Sequence, residues 1–236
     1  MTSARKDVPG MVVERQRHPA EVRRALIVEA ARSVIADRGL FATTMRDIAA
    51  ASEVSLGTVT YHFRGIAQIL AAVLDGEMDA FYAPLVAAAV AQPDGRAALH
   101  ALIDGFLASS PRAGQHWVLW LDFWALAAHD GEYARRQSAF YQRWQRDVEA
   151  IFHRGRADGT LRIEAIDEAA AEFMAVFDGM ASKTYLPGAD IQPAEARGRL
   201  HRYVDRILCR PDLPVTQGYP GRVGHPGRGG GLWLRL

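Results

Sequence analysis

The side chains with the most capacity for chemistry lie in TTMRDIAAASEVSLGTVTYHFRG, residues 43–65. With Ile48 and Ala49 turned inward, Val54 plugging a tight turn, and Val59 and Phe63 anchoring a second short helix, Ser55, Leu56, Thr58, Thr60, Tyr61 and His62 are left facing outward. Hydroxyl, phenol and imidazole groups on one short helix suit the base edges and phosphates of a DNA major groove. A small helical corner with an incidental polar face has the same spacing. A second group is aromatic: Trp117, Trp120, Leu121 and Trp124 share one helical face at spacings of three, four and seven. Such a stripe either packs a core or walls a ligand cavity, because an indole face attracts a desolvated cation as well as apolar matter.

Other chemistries lack their residues. No glycine-rich phosphate loop, G-x-S-x-G elbow or H-E-x-x-H pair is present, and Ser109-Ser110 have no adjacent general base, so no catalytic residue and no cofactor is expected. The 8 His are scattered without zinc-site spacing, so no metal is expected, and a single Cys209 excludes a disulfide framework. Asp122 and His129 fall on the far side of the tryptophan helix and read as solvated or paired. Arg135, Arg136, Arg143 and Arg146 make a charged face that is solvated or packed on another domain or subunit. No apolar window approaches the roughly 20 residues of a membrane span, and the first residues carry no secretory apolar segment, so a cytoplasmic protein with no membrane partner is expected.

The elements that must position these groups are helices throughout. Apolar residues recur at helical spacing from Pro19 to about Cys209 with no sustained alternation of period two, which predicts an all-α fold. Residues 1–19 read as a flexible basic arm with Arg5, Lys6, Arg15 and Arg17. Residues 20–66 form a three-helix helix-turn-helix domain, residues 67–210 a helical ligand-binding and dimerisation domain, and residues 211–236, with 7 Gly and 4 Pro, a disordered tail. Thr44 followed by Asp47 looks like the capping pair that starts the second helix. A long amphipathic run from Gly65 leaves the head, and Pro84 inside it predicts a kink or hinge. Further helices are expected at about 94–109, 113–129, 131–157, 166–186 and 193–209. Charge divides along the same lines: residues 1–64 carry 10 Lys and Arg against 7 Asp and Glu, while residues 65–210 carry 15 against 19. A basic head on an acidic body suits a polyanion-binding head.

The head resembles the TetR family of one-component transcriptional regulators over about residues 20–75. The resemblance rests on Arg24, Leu26-Ile27, Ala30-Ala31 and Gly39, on the T-T-x-x-x-I-A pattern from Thr43 to Ala49, and on the V-S-x-G-T pattern from Val54 to Thr58. It implies that Thr44 touches a phosphate, that Arg46 reaches a base or phosphate, and that Leu56, Gly57, Thr58, Thr60, Tyr61 and His62 occupy the recognition helix. Three positions depart from the pattern. Glu53 stands where the turn usually holds Gly, Ile66 where a phosphate-binding Lys usually follows, with Arg64 as its substitute, and Thr60 where Tyr is usual. The body resembles the choline-responsive BetI-like branch over about 115–186, through WVLWLDFWALAAHDGEYARRQSAFYQRW and AAAEFMAVFDGMASKTYL.

These readings together predict a homodimeric repressor of a palindromic operator in double-stranded DNA, released by a small-molecule effector such as a choline-like cation. The alternatives are a broad sensor of hydrophobic compounds or acyl chains, and a helical enzyme or binding protein outside regulation. The effector cavity is expected between Trp117, Trp120 and Trp124, with Phe81 and Phe106 beside them and Phe173 or Phe177 closing it. The dimer interface is expected on Ile166, Ala170, Phe173, Phe177 and Ala181 of the penultimate helix and Leu200, Val204, Ile207 and Leu208 of the last.

Overall fold

Among the described residues, short polar side chains start five of the ten α-helices, glycine ends the first, and a π-helical change of pitch follows two others. The computed structural model describes residues 19–209, so the expected arm, apart from Pro19, and the expected tail lie outside the described residues. Helix α1 (Ala20–Arg38) starts just after Pro19, buries Ile27, Ala31 and Ile35, and stops at Gly39, whose φ of 81° disfavours any side chain. A 3-10 turn, Leu40–Ala42, which no periodicity signals, leads to α2 (Met45–Ala51) and α3 (Leu56–His62). Ile48, Ala49, Val59 and Phe63 are all buried, as the spacing of the head requires.

Helix α4 (Ile66–Glu77) carries the chain into the body and continues through one π-helical turn, Met78–Tyr82, into α5 (Ala83–Val90). The irregularity expected at Pro84 therefore lies mainly one turn earlier: the wider π turn accommodates a proline ring that cannot donate a backbone hydrogen bond. Asp94, Ser110 and Asp130 cap α6 (Gly95–Phe106), α7 (Pro111–Ala127) and α8 (Gly131–Ala157), each accepting a backbone N–H of the first turn. Helices α9 (Ile166–Tyr185) and α10 (Pro193–Tyr203) follow, and α10 ends in a second π turn, Val204–Leu208. No strand occurs among the described residues. The fold is all-α, as expected.

Packing joins head and body. Helix α1 lies against both α4 and α7, and one buried apolar cluster runs from Ile27 in the head to Leu208 at the end of α10. Helices α6 and α8 approach closely enough that a Cβ on Gly95 would stand 2.3 Å from the Gly155 Cα. Only glycine fits there.

The expected dimer faces need correction. Ile166, Ala170, Phe173, Phe177 and Ala181, together with Leu200, Val204 and Leu208, are all buried inside the single chain, where α9 packs on α7, α8 and α10. Periodicity finds the apolar face of a helix but does not say whose core it enters. Ile207 alone of that set is exposed, at 46%. The outward face of α9 instead carries Ala175, Val176 and Gly179, and that of α10 and its closing π turn carries Arg199, Arg202 and Arg206.

Candidate functional site

In the head, local hydrogen bonds fix the reading elements. Thr44 caps α2: its hydroxyl oxygen accepts the Asp47 N–H at 3.3 Å, and Asp47 accepts the Thr44 N–H at 2.9 Å, so two otherwise unpaired donors are satisfied reciprocally. Hydrogen bonds from the Thr44 hydroxyl and amide hold the Asp47 carboxyl below the usual carboxylate range. Ser55 caps α3 by accepting the Thr58 N–H at 3.1 Å, and the two hydroxyls lie 2.9 Å apart. Thr60 donates back to the Gly57 carbonyl at 3.1 Å.

These bonds leave a narrower reading surface than hydroxyl counting suggests. Tyr61 is 82% exposed, with the His62 ring against it at 5.1 Å, and Leu56, Gly57, Arg46 and Arg64 are exposed around it. Glu53 in the turn has a φ of 54°, the left-handed backbone that the substitution for glycine implies.

In the body, one cavity gathers aromatic side chains from five elements. Trp117, Trp120 and Trp124 of α7 and Phe106 of α6 line it, and Phe177 of α9 closes one side. Its volume is about 60 Å3, several times the roughly 10–15 Å3 that one water requires. Two expected members lie outside the lining. Phe81 stacks on the His116 ring at 4.0 Å, and Phe173, fully buried, packs among Phe152, Phe177 and Tyr203. The missing walls come from α8 and the π turn: Phe140, Tyr141 and Trp144 share the cavity with Tyr82, and Asp178 of α9 adds a carboxylate. A signal for the α8 wall existed in QSAFYQRW, where Phe140 and Trp144 sit one turn apart among the arginines.

Polar contacts orient these rings. Trp117 donates its indole N–H to the Phe106 carbonyl at 2.9 Å, Tyr82 donates to Asp147 at 2.6 Å, and Tyr141 donates to Asp178 at 2.6 Å. The Trp124 indole N–H has no partner among the described residues. Beneath the cavity, Glu77 of α4 is 1% exposed and pairs with Arg112 at 2.7 Å and His116 Nδ1 at 2.8 Å. Burial raises the Glu77 carboxyl, but hydrogen bonds from His116 and Arg112 outweigh it and hold it below its ordinary value. Burial also pushes the His116 imidazole down, so it stays neutral beside a charged carboxylate.

The reverse face of α7 reaches the head. Gln115 accepts from Arg32 of α1 at 3.0 Å, and Asp122 accepts the Leu40 N–H at 2.7 Å, at the turn that leads to α2. Asp122 is paired, as its sequence position allows, but its partner lies in the head. The sequence does not announce that contact.

Comparison with known proteins agrees with this geometry. Residues 27–73 match the family model for bacterial regulatory proteins of the tetR family, and residues 93–209 match that for the C-terminal part of BetI-type transcriptional repressors. The two together span well over half of the chain. The BetI regulator of Burkholderia cenocepacia (strain HI2424) is 26% identical over 190 residues, covering 80% of this chain and 95% of its own length. A transcriptional regulator of Saccharomonospora viridis, solved in complex with choline, is 24% identical and superposes with a TM-score of 0.75 over 81% of this chain and 100% of its own. A TetR regulator of Haloarcula marismortui superposes with a TM-score of 0.71 at 19% identity, over 80% of this chain and 99% of its own. With both family models found in order on one chain, and a capped helix pair in the first joined to a cavity-bearing bundle in the second, the chain belongs to the TetR family of transcriptional regulators, on its BetI-like branch.

Proposed function

We propose that this regulator is a cytoplasmic repressor that binds a palindromic operator as a homodimer, with residues 20–66 reading DNA and residues 67–210 binding a small cationic effector that releases it. The observation that carries the coupling is the double role of α7. One face walls the cavity with Trp117, Trp120 and Trp124, and the opposite face holds the head through Gln115 and Asp122. A ligand that repositions the tryptophans moves the helix on which the head rests. An effector releases DNA only as far as it binds the released arrangement more tightly.

Indole and phenol faces around a small cavity favour a quaternary ammonium, at roughly 0.5–2 kcal/mol per ring. The choline complex of the Saccharomonospora viridis neighbour supplies the candidate. A cavity of about 60 Å3 with a carboxylate in its wall suits a compact cation better than a long acyl chain. For DNA, Thr44, Arg46, Ser55, Thr58, Thr60, His62 and Arg64 position the head, and Tyr61, with Leu56 and Gly57 beside it, reads bases. The second copy docks on the outward faces of α9 and α10, where small residues of one helix neighbour the arginines of the other.

The test starts from a duplex selected out of a pool of palindromes. The full chain should protect two half-sites about one helical turn, roughly 34 Å, apart, with binding that weakens as salt rises and is reversed by choline. Trp120→Ala should stay folded and DNA-bound but lose the response to choline. No selected palindrome, or binding that choline leaves untouched at millimolar concentration, overturns the repressor or the cation reading respectively.

A further inference from the structure

We propose that Asp178 is the counter-ion of the aromatic cavity, so that the site selects a positively charged effector over a neutral molecule of the same shape. This deepens the proposed function and rests on its reading of the cavity as the effector site.

Asp178 stands on α9 with its side chain at the cavity wall. Tyr141 of α8 donates to Oδ2 at 2.6 Å, and no Lys, Arg or His among the described residues forms an ion pair with the carboxylate. The contrast with Glu77 is direct: that buried carboxylate is answered by the Arg112 cation and by a hydrogen bond with His116. Tyr82 and His116 also face the cavity, but the first donates to Asp147 and the second is held by Glu77. A carboxylate taken out of water without a cation is costly, and the fold supplies none here.

A cation entering between Trp120, Trp124 and Phe140 meets both ring faces and this unanswered charge. A neutral ligand of equal size gains the ring contacts but leaves the carboxylate desolvated. An anion is repelled. Burial pushes the Asp178 carboxyl up to about 6, opposed only by the Tyr141 hydrogen bond, so cation binding weakens as pH falls through that value.

Calorimetric titration of the full chain with choline and with dimethylbutanol, its uncharged carbon isostere, tests the assignment. At about pH 8, where the carboxyl is ionised, the wild type should bind choline at least about tenfold more tightly than the isostere. Asp178→Asn should erase that preference by losing choline affinity while keeping or improving affinity for the isostere. Acidification to about pH 5 should give the wild type the Asn pattern. Tyr141→Phe, which removes the bond that stabilises the charge, should move the pH midpoint of choline binding upward, a shift that a merely structural role does not produce. If Asp178→Asn fails to fold, the isostere comparison and pH series on the wild type decide. A wild type that binds both ligands equally, or an Asn variant that keeps its preference, overturns the counter-ion assignment and leaves the effector cavity standing. A wild type that binds neither ligand overturns the cavity reading itself.

Discussion

The head and the body solve opposite problems with their polar groups. In the head, Thr44 with Asp47, Ser55 with Thr58, and Thr60 with Gly57 bond within three residues of one another, and the reading surface opens to solvent around Tyr61. In the body, Tyr82 with Asp147, Tyr141 with Asp178, and Glu77 with His116 join residues 37 or more apart in sequence around the aromatic cavity. Short-range bonds shape a surface open to solvent, which the proposed function assigns to a duplex. Long-range bonds shape a cavity of about 60 Å3. The first kind survives the loss of a neighbouring helix, whereas the second depends on all the helices being present.

The sharpest test of that difference is to place charge in the body core. Phe177→Arg with Val204→Arg puts two guanidinium groups at sites 1% and 0% exposed, which should cost more than about 4–5 kcal/mol and unfold the body in urea titrations. A folded, monomeric double variant would instead return those residues to a subunit interface. Asp178→Asn comes next in size. The folded-state carboxyl, at about 6, lies above its ordinary value, so the native protein loses stability as pH rises from about 4 to 6 and does not regain it above. Removing the carboxyl should therefore stabilise the ligand-free chain at about pH 7.5 by on the order of 1–3 kcal/mol and do nothing at about pH 4. Equal urea midpoints for variant and wild type at both pH values would mean that the carboxyl is solvated.

Smaller effects belong to the head. Thr44→Ala should cost about 1 kcal/mol through the lost cap and weaken binding to every operator variant alike. Tyr61→Ala should leave stability unchanged and alter base preference across a panel of operators, and an equal loss on all of them would remove Tyr61 from base reading. Glu53→Gly should change least. It relieves a φ of 54° but loosens the unfolded chain, for a net gain below about 1 kcal/mol in thermal unfolding.

The same division explains what the sequence reveals. The bounds of α2 and α3 follow from Thr44, Ser55 and Phe63 to within a residue, because capping and turn geometry are local. The Gly131–Ala157 helix is likewise bounded by its own Asp130 cap. The cavity is half legible. Trp117, Trp120 and Trp124 announce themselves by spacing, but Tyr82 comes from the π turn, and Tyr141, Trp144 and Asp178 come from α8 and α9, which pack on α7. Phe173 and Phe177 show the limit in one helix. They sit one turn apart on one apolar face, yet only Phe177 reaches the cavity and neither reaches the surface.

Helix α7 stands between the two regions, with Gln115 and Asp122 two turns apart on one face and the three tryptophans on the other. A coupling carried by one element runs in both directions with equal strength. Under the proposed function, whatever factor a bound cation takes from operator affinity, the operator takes from cation affinity. A dimer seated on DNA is then a poorer receptor than a free one. The concentration at which the regulated genes respond depends on how many operator copies the cell carries for each dimer, as well as on the chemistry of the cavity.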